Sequence, residues 1–354
     1  MNNLLPSIDI LTKPHAADPF LQDTLDLFKG NKSGHMNSYA FNQPDPDIPN
    51  DPVRGGEYWS RMIDYARDYY LITKEPEVIS YSSTEITKYL PSCISAVELG
   101  PGEKTAVYEK TLPFLKSFVQ ISDFTAVDVN SDFASGASSI VSKKMKIPTR
   151  PVVGNFFDEE LRLTNRQTTV FSLFGGLLCN FELEKGKAVF SCLQQKFLDL
   201  SLNIKARNYL AITQDTNQNE ESLLKAYSHP FMGAYILSVL HKIKRDLPTQ
   251  GFNSDAFRFC VSWDKKNHLL KLGACLKENH APQSFELAGH NFTLFPGQEL
   301  TLVNSYKFPV PFFLTAAEKA GFIPLKTVKC KNNPIALHLL QKAGPFSIHS
   351  DREN

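Results

Sequence analysis

The chain has 354 residues, 42% of them hydrophobic, and carries 38 lysines and arginines against 37 aspartates and glutamates. This length suggests about two domains with a sizeable core, and the formal net charge of +1 gives no bulk field that would attract nucleic acid or an anionic membrane. No run approaches the ~18 apolar residues of a membrane-spanning helix, and Asp9 interrupts the apolar run near the N-terminus, so we expect neither a membrane segment nor a secretory signal.

The cysteine and histidine patterns argue against a metal site. The six cysteines are far apart in the chain and include no CxxC pair, so we expect free thiols and a reducing, cytoplasmic environment. His229, His241 and Glu221 do not have the HExxH spacing of a catalytic zinc site, and solvated helix positions explain them better. Cys179 has no histidine close to it in sequence and is expected to be a small turn residue rather than a nucleophile.

The first 80 residues divide into two parts. Residues 1–53 contain seven of the 22 prolines, and because proline fixes φ and lacks an N–H donor, this stretch is predicted to be an irregular arm. A flexible arm, a lid and a segment that binds a protein partner are open alternatives for it. Residues 57–72 place apolar side chains at helical spacing, which predicts an amphipathic helix.

Strands and helices alternate from residue 94 onward. The predicted strands cover residues 94–99, 124–129, 151–153, 169–174 and 206–213. Predicted helices lie between them at residues 103–117, 131–144 and 184–200. Strands that alternate with helices over this length indicate an α/β fold with a mostly parallel sheet and helices on both faces.

The pattern changes after residue 213. A polar loop at 214–221 precedes a predicted helix at 222–247, and short apolar segments follow between residues 256 and 307. Their alternation of apolar and polar side chains predicts antiparallel strands with one buried face. The chain then closes with a helix and two strands, at residues 311–320, 322–328 and 335–340. The sequence therefore predicts an α+β unit inserted into the parallel one.

A glycine-containing turn follows the first of the parallel strands. Gly100 and Gly102 flank Pro101 there, and glycine lets the backbone approach a ligand because it has no Cβ. The crevice beyond the carboxyl ends of parallel strands is where open α/β sheets bind ligands. Thr105 rules out the GxGxxG dinucleotide pattern, whereas an acid (Glu98), one apolar residue and GxG are typical of S-adenosylmethionine-dependent methyltransferases. A turn without a ligand is the alternative.

Candidate site residues also follow the next three strands. Asp128 could accept both ribose hydroxyls of a nucleoside, and its alternative role is that of a helix cap. The loop at Asn155 and Phe156 could contact adenine. Gly175 could permit close approach at a reacting methyl group, and Asn180 could bind a polar head group, unless these two residues only form a tight turn with a capping asparagine.

Four segments match, in order, the elements of one known enzyme family. Residues 68–75 (DYYLITKE) correspond to a Glu-Tyr-Tyr-x-Thr-x-x-Glu element, and residues 98–105 (ELGPGEKT) to a cofactor loop that is two residues longer in the family. Residues 174–180 (FGGLLCN) and 304–308 (NSYKF) are similar to a Gly-Ser-x-x-Gly-Asn turn and a Ser-x-Lys-Phe segment. Over residues 56–345 the chain thus resembles the histidine-specific Nα-methyltransferases of the ergothioneine pathway.

This resemblance implies a Rossmann-like class I methyltransferase core that binds S-adenosylmethionine, together with an α+β substrate domain. The implied parts are an arm at 1–53, a helical part of the substrate domain at 54–80, the methyltransferase domain at 81–213 plus 308–345, and the inserted substrate domain at 214–307. The implied substrate is a small, amino-acid-like molecule.

The resemblance also implies roles for individual residues. Those implied to bind the cofactor are Glu98, Gly100, Gly102, Lys104, Asp128, Asn155, Phe156 and Gly175. Tyr69 and Gly175 would orient the acceptor nitrogen during catalysis, and the amino-acid head group would lie near Tyr69, Asn180 and Tyr227. Core packing is the alternative for the two tyrosines, because a buried tyrosine needs a partner in any case.

Departures from the family pattern bear on the substrate. Val303 stands where the histidine enzymes have a glutamate that grips the imidazole, and Ser305 is what remains of the imidazole-binding set. A site built for a polar group discriminates by leaving buried partners unpaired when that group is absent, so the replacement disfavours histidine. The sequence favours methyl transfer to another amino-acid-like or small amine substrate. A non-catalytic binding protein on a degenerate methyltransferase fold is the alternative, and transfer to an oxygen or a protein side chain is a third reading.

Overall fold

The computed structural model describes residues 18–157, 163 and 168–344. The helices are α1 (Pro19–Lys29), α2 (Asn37–Ala40), α3 (Gly55–Tyr65), α4 (Leu71–Thr87), α5 (Lys104–Ala106), α6 (Leu112–Lys116), α7 (Ser131–Met145), α8 (Val189–Asn203), α9 (Glu220–Tyr227), α10 (Pro230–Asp246) and α11 (Val310–Lys319). The strands are β1 (Lys32–Ser33), β2 (Cys93–Leu99), β3 (Gln120–Asp128), β4 (Thr149–Val153), β5 (Thr169–Leu173), β6 (Leu183–Glu184), β7 (Tyr209–Asp215), β8 (Thr249–Gln250), β9 (Phe257–Asp264), β10 (Leu269–Leu276), β11 (Gln283–Leu287), β12 (His290–Leu294), β13 (Glu299–Tyr306), β14 (Phe322–Lys329) and β15 (Ile335–Lys342). None of the helices in these described ranges is long and apolar enough to cross a lipid bilayer.

Seven strands form the central sheet, in the order β14-β15-β7-β5-β2-β3-β4. The strands from β7 to β4 are parallel, whereas β15 runs antiparallel to both of its neighbours. Central strand β2 is buried from Ile94 to Leu99, as expected for a strand with helices on both faces. Among the covering helices, α4 packs against β14 and β15, α7 against β3 and β4, and α11 against β14 and α8. The Rossmann-like α/β fold that the sequence predicts is confirmed.

The parallel register brings the carboxyl ends of three strands side by side. Leu99 of β2 pairs with Val127 of β3 on one side and with Leu173 of β5 on the other. The turns that follow these strands therefore leave the sheet at one edge. This edge is where the sequence places its candidate cofactor residues.

The inserted unit contains two small antiparallel sheets, as the sequence predicts. Strands β13, β10 and β9 form one of them, in that order, and β12, β11 and β8 form the other. Helix α10 packs against β9 and β10 and also contacts α3. Most of the buried apolar side chains of the inserted α+β unit therefore belong to one hydrophobic cluster with those of the N-terminal part of the chain and of the central sheet.

The N-terminal segment differs from the predicted irregular arm. Residues 18–53 contain α1, β1 and α2, and β1 pairs with β6. The backbone N–H groups of Gly34 and Met36 donate to carbonyl oxygens of β13 at 3.0 and 2.9 Å. Pro19 lies in the first turn of α1, where a missing N–H costs nothing. The prediction of an irregular arm was therefore wrong for residues 18–53, and residues 1–17 lie outside the described chain.

The helix predicted at 57–72 is two helices. Helix α3 ends at Tyr65 and α4 begins at Leu71, and the backbone between them carries Tyr69 and Tyr70. Helix α3 packs against α10 of the inserted unit, whereas α4 packs against β14 and β15 of the central sheet. The segment predicted at 54–80 as part of the substrate domain thus divides between the two units at this break.

The helix predicted at 222–247 is also interrupted. Helix α9 ends at Tyr227, and Pro230 occupies the first position of α10, because proline fits the start of a helix and not its interior. The ring of His229 caps α10 by accepting the N–H of Phe231 at 3.2 Å. The interruption places Tyr227 at a helix end.

Candidate functional site

A glycine turn borders open space at the carboxyl edge of the central sheet. The N–H of Gly100 donates to the carbonyl of Val127 at 2.8 Å, which ties the turn after β2 to β3. Gly100 and Gly102 have φ values of 69° and 68°, a left-handed conformation that favours glycine. A Cβ added to Gly100 would lie 2.8 Å from Cδ1 of Leu177, whereas one added to Gly102 would meet no described atom within 4 Å. The backbone at Gly102 is therefore open to a ligand.

Asp128 ends β3 beside this turn. Its side chain is buried, and one carboxylate oxygen accepts the N–H of Asn130 at 2.9 Å. Burial raises the pKa of the Asp128 carboxyl, and hydrogen bonds from the backbone N–H groups of Asn130, Gly102 and Val129 oppose that shift. The structure thus brings the predicted ribose-binding carboxylate and the glycine turn together.

Glu98 lies near the end of β2 and is 2% exposed. Its Oε2 has no partner at hydrogen-bond distance in the described part of the chain, and neither has the hydroxyl of Thr111. Burial raises the pKa of Glu98 to about 7. The Thr111 hydroxyl, which is close to the carboxyl without meeting hydrogen-bond geometry, and the charge of Lys110 oppose the shift. A buried polar atom without a partner is costly, so this oxygen fits a group that a ligand would bring.

The other predicted cofactor residues differ in their surroundings. Phe156 is buried, and its Cε1 would lie 3.6 Å from a Cβ on Gly100, so its ring lies beside the glycine turn. Asn155 is exposed and accepts the N–H of Phe157 at 3.0 Å, which stabilises its own turn. Lys104 begins α5 with an exposed side chain. The structure therefore brings Phe156 to the turn and leaves Asn155 and Lys104 on the surface.

A buried glutamate that we did not predict holds the Gly175 turn. Glu75 of α4 is 4% exposed, and its Oε1 accepts the N–H of Gly175 and the hydroxyl of Thr213. Its other oxygen accepts the Nζ of Lys110 at 3.2 Å. Gly175 itself has a φ of 84°. Helix α4 thus fixes the backbone at the point where the sequence predicts the reacting methyl group.

A second buried carboxylate lies at the end of β7. The Oδ2 of Asp215 accepts the hydroxyl of Tyr70 at 2.7 Å and the Nζ of Lys307 at 2.9 Å. Its Oδ1 accepts the N–H of Asn217 at 3.0 Å. The side chains of Asp215 and Lys307 are 4% and 3% exposed. This ion pair is therefore removed from water, and its carboxylate accepts three hydrogen bonds.

Lys307 gathers three predicted substrate residues. Its Nζ donates to the hydroxyl of Tyr227 at 2.8 Å and to the hydroxyl of Ser305 at 3.1 Å, in addition to Asp215. These contacts use all three hydrogens of the ammonium group. The ring of Tyr69 packs edge-to-face on that of Tyr227, with centroids 5.2 Å apart and planes at 88°. Tyr227 and Ser305 thus contact one buried cation directly, and Tyr69 lies beside them through its ring contact with Tyr227.

Aromatic side chains extend this cluster toward α3 and α10. Trp59 packs edge-to-face on Tyr69 with centroids 6.2 Å apart, and Tyr235 lies 5.2 Å from Trp59. Burial raises the pKa of Tyr69, Tyr227 and Tyr235 above the ordinary value, because an ionised phenol would lose its hydration. Each of these hydroxyls therefore keeps its proton and can donate it.

Val303 and Ser305 lie two residues apart on β13 and so share a face of the strand. Val303 is 3% exposed and pairs with Leu272 of β10. Val303 thus places a buried apolar side chain at this position, and its backbone lies between Leu272 on one side and His35 on the other.

Asn180 is half-buried at the end of the turn after β5, and its N–H donates to the carbonyl of Leu177 at 3.1 Å. Its neighbour Cys179 is buried, which raises the pKa of the thiol to about 12, and the charges of Lys307 and Asp215 act on that thiol in opposite directions. The carbonyl of Phe181, next to Asn180, accepts the side-chain amide of Asn304 at 3.3 Å, so this turn lies against the strand that carries Ser305.

The sequence analysis missed the charged residues that hold the two halves of the site. These are Glu75, Lys110, Asp215 and Lys307. Glu75 and Lys307 lie inside the segments 68–75 and 304–308 that carry the family resemblance, so a signal for both was present. Lys110 and Asp215 lie outside these segments, and tertiary packing alone identifies them as partners.

Comparisons with known proteins give four findings. A family model described as histidine-specific methyltransferase, SAM-dependent, matches residues 51–342. A protein of Sinorhizobium fredii, described as uncharacterized protein y4iF, is 25% identical over 255 residues, which is 70% of this chain and 81% of that protein. N-methyltransferase imqF of Aspergillus flavus is 22% identical over 287 residues, 77% of this chain and 74% of its own length. Among solved structures, an S-adenosylmethionine-dependent methyltransferase from Clostridium acetobutylicum aligns with a TM-score of 0.43 and 11% identity, over 82% of this chain and 99% of that one.

Proposed function

Because the chain belongs to the family of histidine-specific, S-adenosylmethionine-dependent methyltransferases, it is a methyltransferase that uses this cofactor, and we propose that it methylates the nitrogen of a small amino-acid-like amine other than histidine. The observation that carries the proposal is the cluster in which Tyr227 and Ser305 contact Lys307 and Tyr69 packs on Tyr227. The Aspergillus relative is named an N-methyltransferase, which supports nitrogen as the acceptor atom.

The residues at the carboxyl edge of the sheet fit the cofactor. The unpartnered Oε2 of Glu98 suits the ammonium group of the methionine part, and the carboxylate of Asp128 suits the two ribose hydroxyls. The open space beside Gly102 leaves room for the part of the cofactor that links the methionine part to the ribose. The ring of Phe156 offers a surface to adenine. When bound, S-adenosylmethionine supplies an electrophilic methyl group on a sulfonium.

The acceptor is proposed to lie between the Gly175 turn and the tyrosine cluster. Tyr227 and Asn180 offer hydrogen-bond donors to a head group, and the hydroxyl of Tyr69 and the carbonyl of Gly175 would orient the nitrogen. Glu75 supports this placement, because its hydrogen bond to the N–H of Gly175 keeps that turn in one conformation. The protein's contribution is mainly orientation and the exclusion of water.

The transfer is a displacement at carbon. The neutral acceptor nitrogen forms a bond to the methyl carbon, the bond from carbon to sulfur breaks, and its electron pair stays on sulfur. The positive charge thereby passes from sulfur to nitrogen, and the nitrogen releases its extra proton to water. No residue has to act as a strong base, provided that the amine enters in its neutral form.

Histidine is excluded from the proposal because of Val303. This side chain is 3% exposed and faces Leu272, so it offers no acceptor to an imidazole N–H. An imidazole placed there would leave its polar nitrogens unpaired, which a buried apolar surface penalises.

Calorimetric titration with S-adenosylhomocysteine tests the cofactor site. We expect micromolar affinity, about −8 kcal/mol, and a loss of at least about tenfold in Asp128→Asn, because the ribose hydroxyls then lose a charged acceptor. Asp123→Asn is the matched control: Asp123 lies on the same strand, away from the carboxyl edge, where it accepts two serine hydroxyls at 2.7 Å. Equal affinities for both variants would contradict the assignment of Asp128.

An acceptor screen tests the substrate class. Purified protein and S-adenosylmethionine are incubated with each of the common L-amino acids, with simple amines and phenols, and with acceptor proteins, and methylated products are detected by mass spectrometry. We expect an N-methylated amino acid or amine, and little product from histidine. Product from phenols or proteins alone would replace the proposal with oxygen or protein methylation, and histidine as the best acceptor would refute the argument from Val303.

A further inference from the structure

We propose that Lys110 binds the carboxylate of the cofactor's methionine part, beside the Glu98 carboxyl that suits its ammonium group. The inference rests on the proposed placement of the cofactor at the carboxyl edge of the sheet, and it adds a cation to that placement. The family resemblance points to Lys104 for the cofactor, but the side chain of Lys104 is exposed at the start of α5. Lys110 lies further along the same helical segment, and its ammonium group contacts Glu75 of α4.

The chain between α5 and α6 forms a π-helical turn, Val107–Thr111, that carries Lys110. Such turns are rare and occur frequently at functional sites. The last two residues of this turn both extend toward the carboxyl edge of the sheet. The Nζ of Lys110 donates to Oε2 of Glu75 at 3.2 Å, and Thr111 is buried with its hydroxyl close to the Glu98 carboxyl. The turn therefore brings two neighbouring polar side chains to the proposed cofactor site.

The ammonium group of Lys110 lies next to the Gly175 turn and has hydrogens to spare. A Cβ added to Gly175 would be 3.9 Å from its Nζ. An ammonium group has three hydrogens, and the contact with Glu75 is the one hydrogen bond that the described residues give it. The side chain of Lys110 is 18% exposed, so water reaches it only in part. Its remaining hydrogens are therefore available to a ligand at this edge.

The methionine part of the cofactor carries its ammonium and carboxylate groups on one carbon atom. Their partners in the protein must therefore lie close together and have opposite charges. The charge of Lys110 lowers the pKa of Glu98 against the effect of burial, whereas the charges of Glu75 and Asp128 raise it, so all three groups lie near that carboxyl. A ligand carboxylate would be repelled by these acids unless a cation stood among them. Lys110 supplies that cation.

A structural role is the alternative for Lys110. In that case it does no more than hold Glu75, which in turn accepts the N–H of Gly175. Both roles predict weaker cofactor binding when Lys110 is replaced, but only a direct contact makes the loss depend on the carboxylate of the ligand. The test therefore compares S-adenosylhomocysteine with its decarboxylated analogue, which keeps the ammonium group, the sulfur and the nucleoside.

Calorimetric titration gives the affinity of each variant for both ligands. The wild type should bind S-adenosylhomocysteine about 10- to 100-fold more tightly than the analogue, as expected for a charged hydrogen bond. Lys110→Met should reduce this preference to less than about threefold, whereas Lys110→Arg keeps the charge and should retain most of it. Glu75→Gln should weaken both ligands together and leave the preference intact. Lys116→Met, at the exposed end of α6, is the control and should bind both ligands as the wild type does.

Three outcomes overturn the proposal while the cofactor site stands. The wild type binds the two ligands equally, or Lys110→Met weakens both by the same factor, which would limit Lys110 to the support of Glu75. In the third, Lys104→Met rather than Lys110→Met removes the preference, which would return the carboxylate to the start of α5. If the folded wild type binds neither ligand, the assignment of the cofactor site fails first, and the role of Lys110 fails with it.

Discussion

The two sides of the proposed site, which we call the cofactor side and the acceptor side, differ in the groups that they offer to a ligand. On the cofactor side the chain offers backbone at Gly100, Gly102 and Gly175, all with positive φ, at the ends of adjacent parallel strands. On the acceptor side the groups are side chains that come from the α3–α4 break, from the end of α9 and from β13, and a buried lysine joins them. Backbone sites depend on local conformation, whereas side-chain sites depend on how distant elements pack.

Each side contains one buried carboxylate paired with a lysine, and the two pairs differ in exposure. In the Glu75–Lys110 pair the side chains are 5% and 18% exposed, and the nearest N–O distance is 3.2 Å. In the Asp215–Lys307 pair they are 4% and 3% exposed, at 2.9 Å. Because the cost of leaving a charge unpaired grows as water is excluded, the acceptor-side pair should be the more sensitive to removal of its lysine.

Removal of Lys307 should have the largest effect on the stability of the protein. Lys307→Met leaves Asp215 charged and buried, so we expect the free energy of unfolding in urea to fall by about 3–5 kcal/mol. Adding Asp215→Asn should recover most of this loss, because the unpaired charge is gone. Lys110→Met should cost less, about 1–2 kcal/mol, since Lys110 is partly exposed. Equal losses for the two lysine variants would remove the distinction between the pairs.

Glu75→Gln should weaken the cofactor side more than the acceptor side. The glutamine amide keeps an oxygen that can accept the N–H of Gly175, but it loses the negative charge that attracts Lys110. The hydrogen bond to Gly175 weakens as a result, and the Gly175 turn is held less firmly. We expect S-adenosylhomocysteine to bind about tenfold more weakly, in line with the loss of a charged hydrogen bond. Glu77→Gln, on the same helix but exposed, is the control and should leave affinity unchanged. Unaltered affinity in Glu75→Gln would separate α4 from the cofactor site.

The pH dependence of cofactor binding should report on Glu98. In the free protein burial raises the pKa of this carboxyl to about 7, so the group is mainly ionised above pH 7 and protonated below it. If the ionised form contacts the cofactor ammonium, affinity is highest at pH 8 and falls about tenfold by pH 6. Calorimetry across this range should show the fall in wild type and a flat profile in Glu98→Gln.

The Glu98 carboxyl also affects the stability of the fold, and this effect changes with pH in the direction opposite to that of cofactor binding. Because its folded pKa lies above the ordinary value of 4.5, the folded protein holds this proton more tightly than the unfolded chain does. The stabilisation is complete below pH 4.5 and is lost as the pH rises toward 7. Glu98→Gln should therefore raise stability at pH 8 while it weakens cofactor binding, and a loss on both measures would contradict the burial argument.

Local sequence was sufficient to predict which residues lie together on the proposed cofactor side, and it predicted few of the contacts on the proposed acceptor side. The strand that ends in Glu98 and the turn at Gly100 are contiguous in the chain, and parallel pairing then brings Asp128 next to them without further information. The contact between Lys307 and Tyr227 spans 80 residues, and that between Tyr70 and Asp215 spans 145. No periodicity encodes such pairs. Lys307 lies inside a segment of the family resemblance, but the sequence alone gave no reason to pair it with Tyr227 or Asp215.

The N-terminal segment shows a related limit. Its prolines indicated irregular backbone, yet Met36 is 0% exposed and residues 34–36 lie against β13. Proline content reports on local φ and on missing donors, and it does not report on whether the neighbouring apolar side chains find a surface to cover. The inserted unit provides that surface, so the segment packs despite its composition.

The smallest expected effect is that of Gly102→Ala, which with a control variant distinguishes backbone strain from a lost ligand contact on the cofactor side. Gly102→Ala forces a side chain into a φ of 68°, which costs about 1 kcal/mol of stability. Gly289→Ala imposes the same kind of strain, with φ at 81° in the turn between β11 and β12, and in both positions the added Cβ meets no described atom within 4 Å. The two variants should therefore lose similar stability in urea, but Gly102→Ala alone should weaken binding of S-adenosylhomocysteine, by severalfold, because its Cβ enters the space that the ligand fills. Equal affinities would mean that the open space at Gly102 is not part of the cofactor site, and the backbone character of that side would then rest on Gly100 and Gly175.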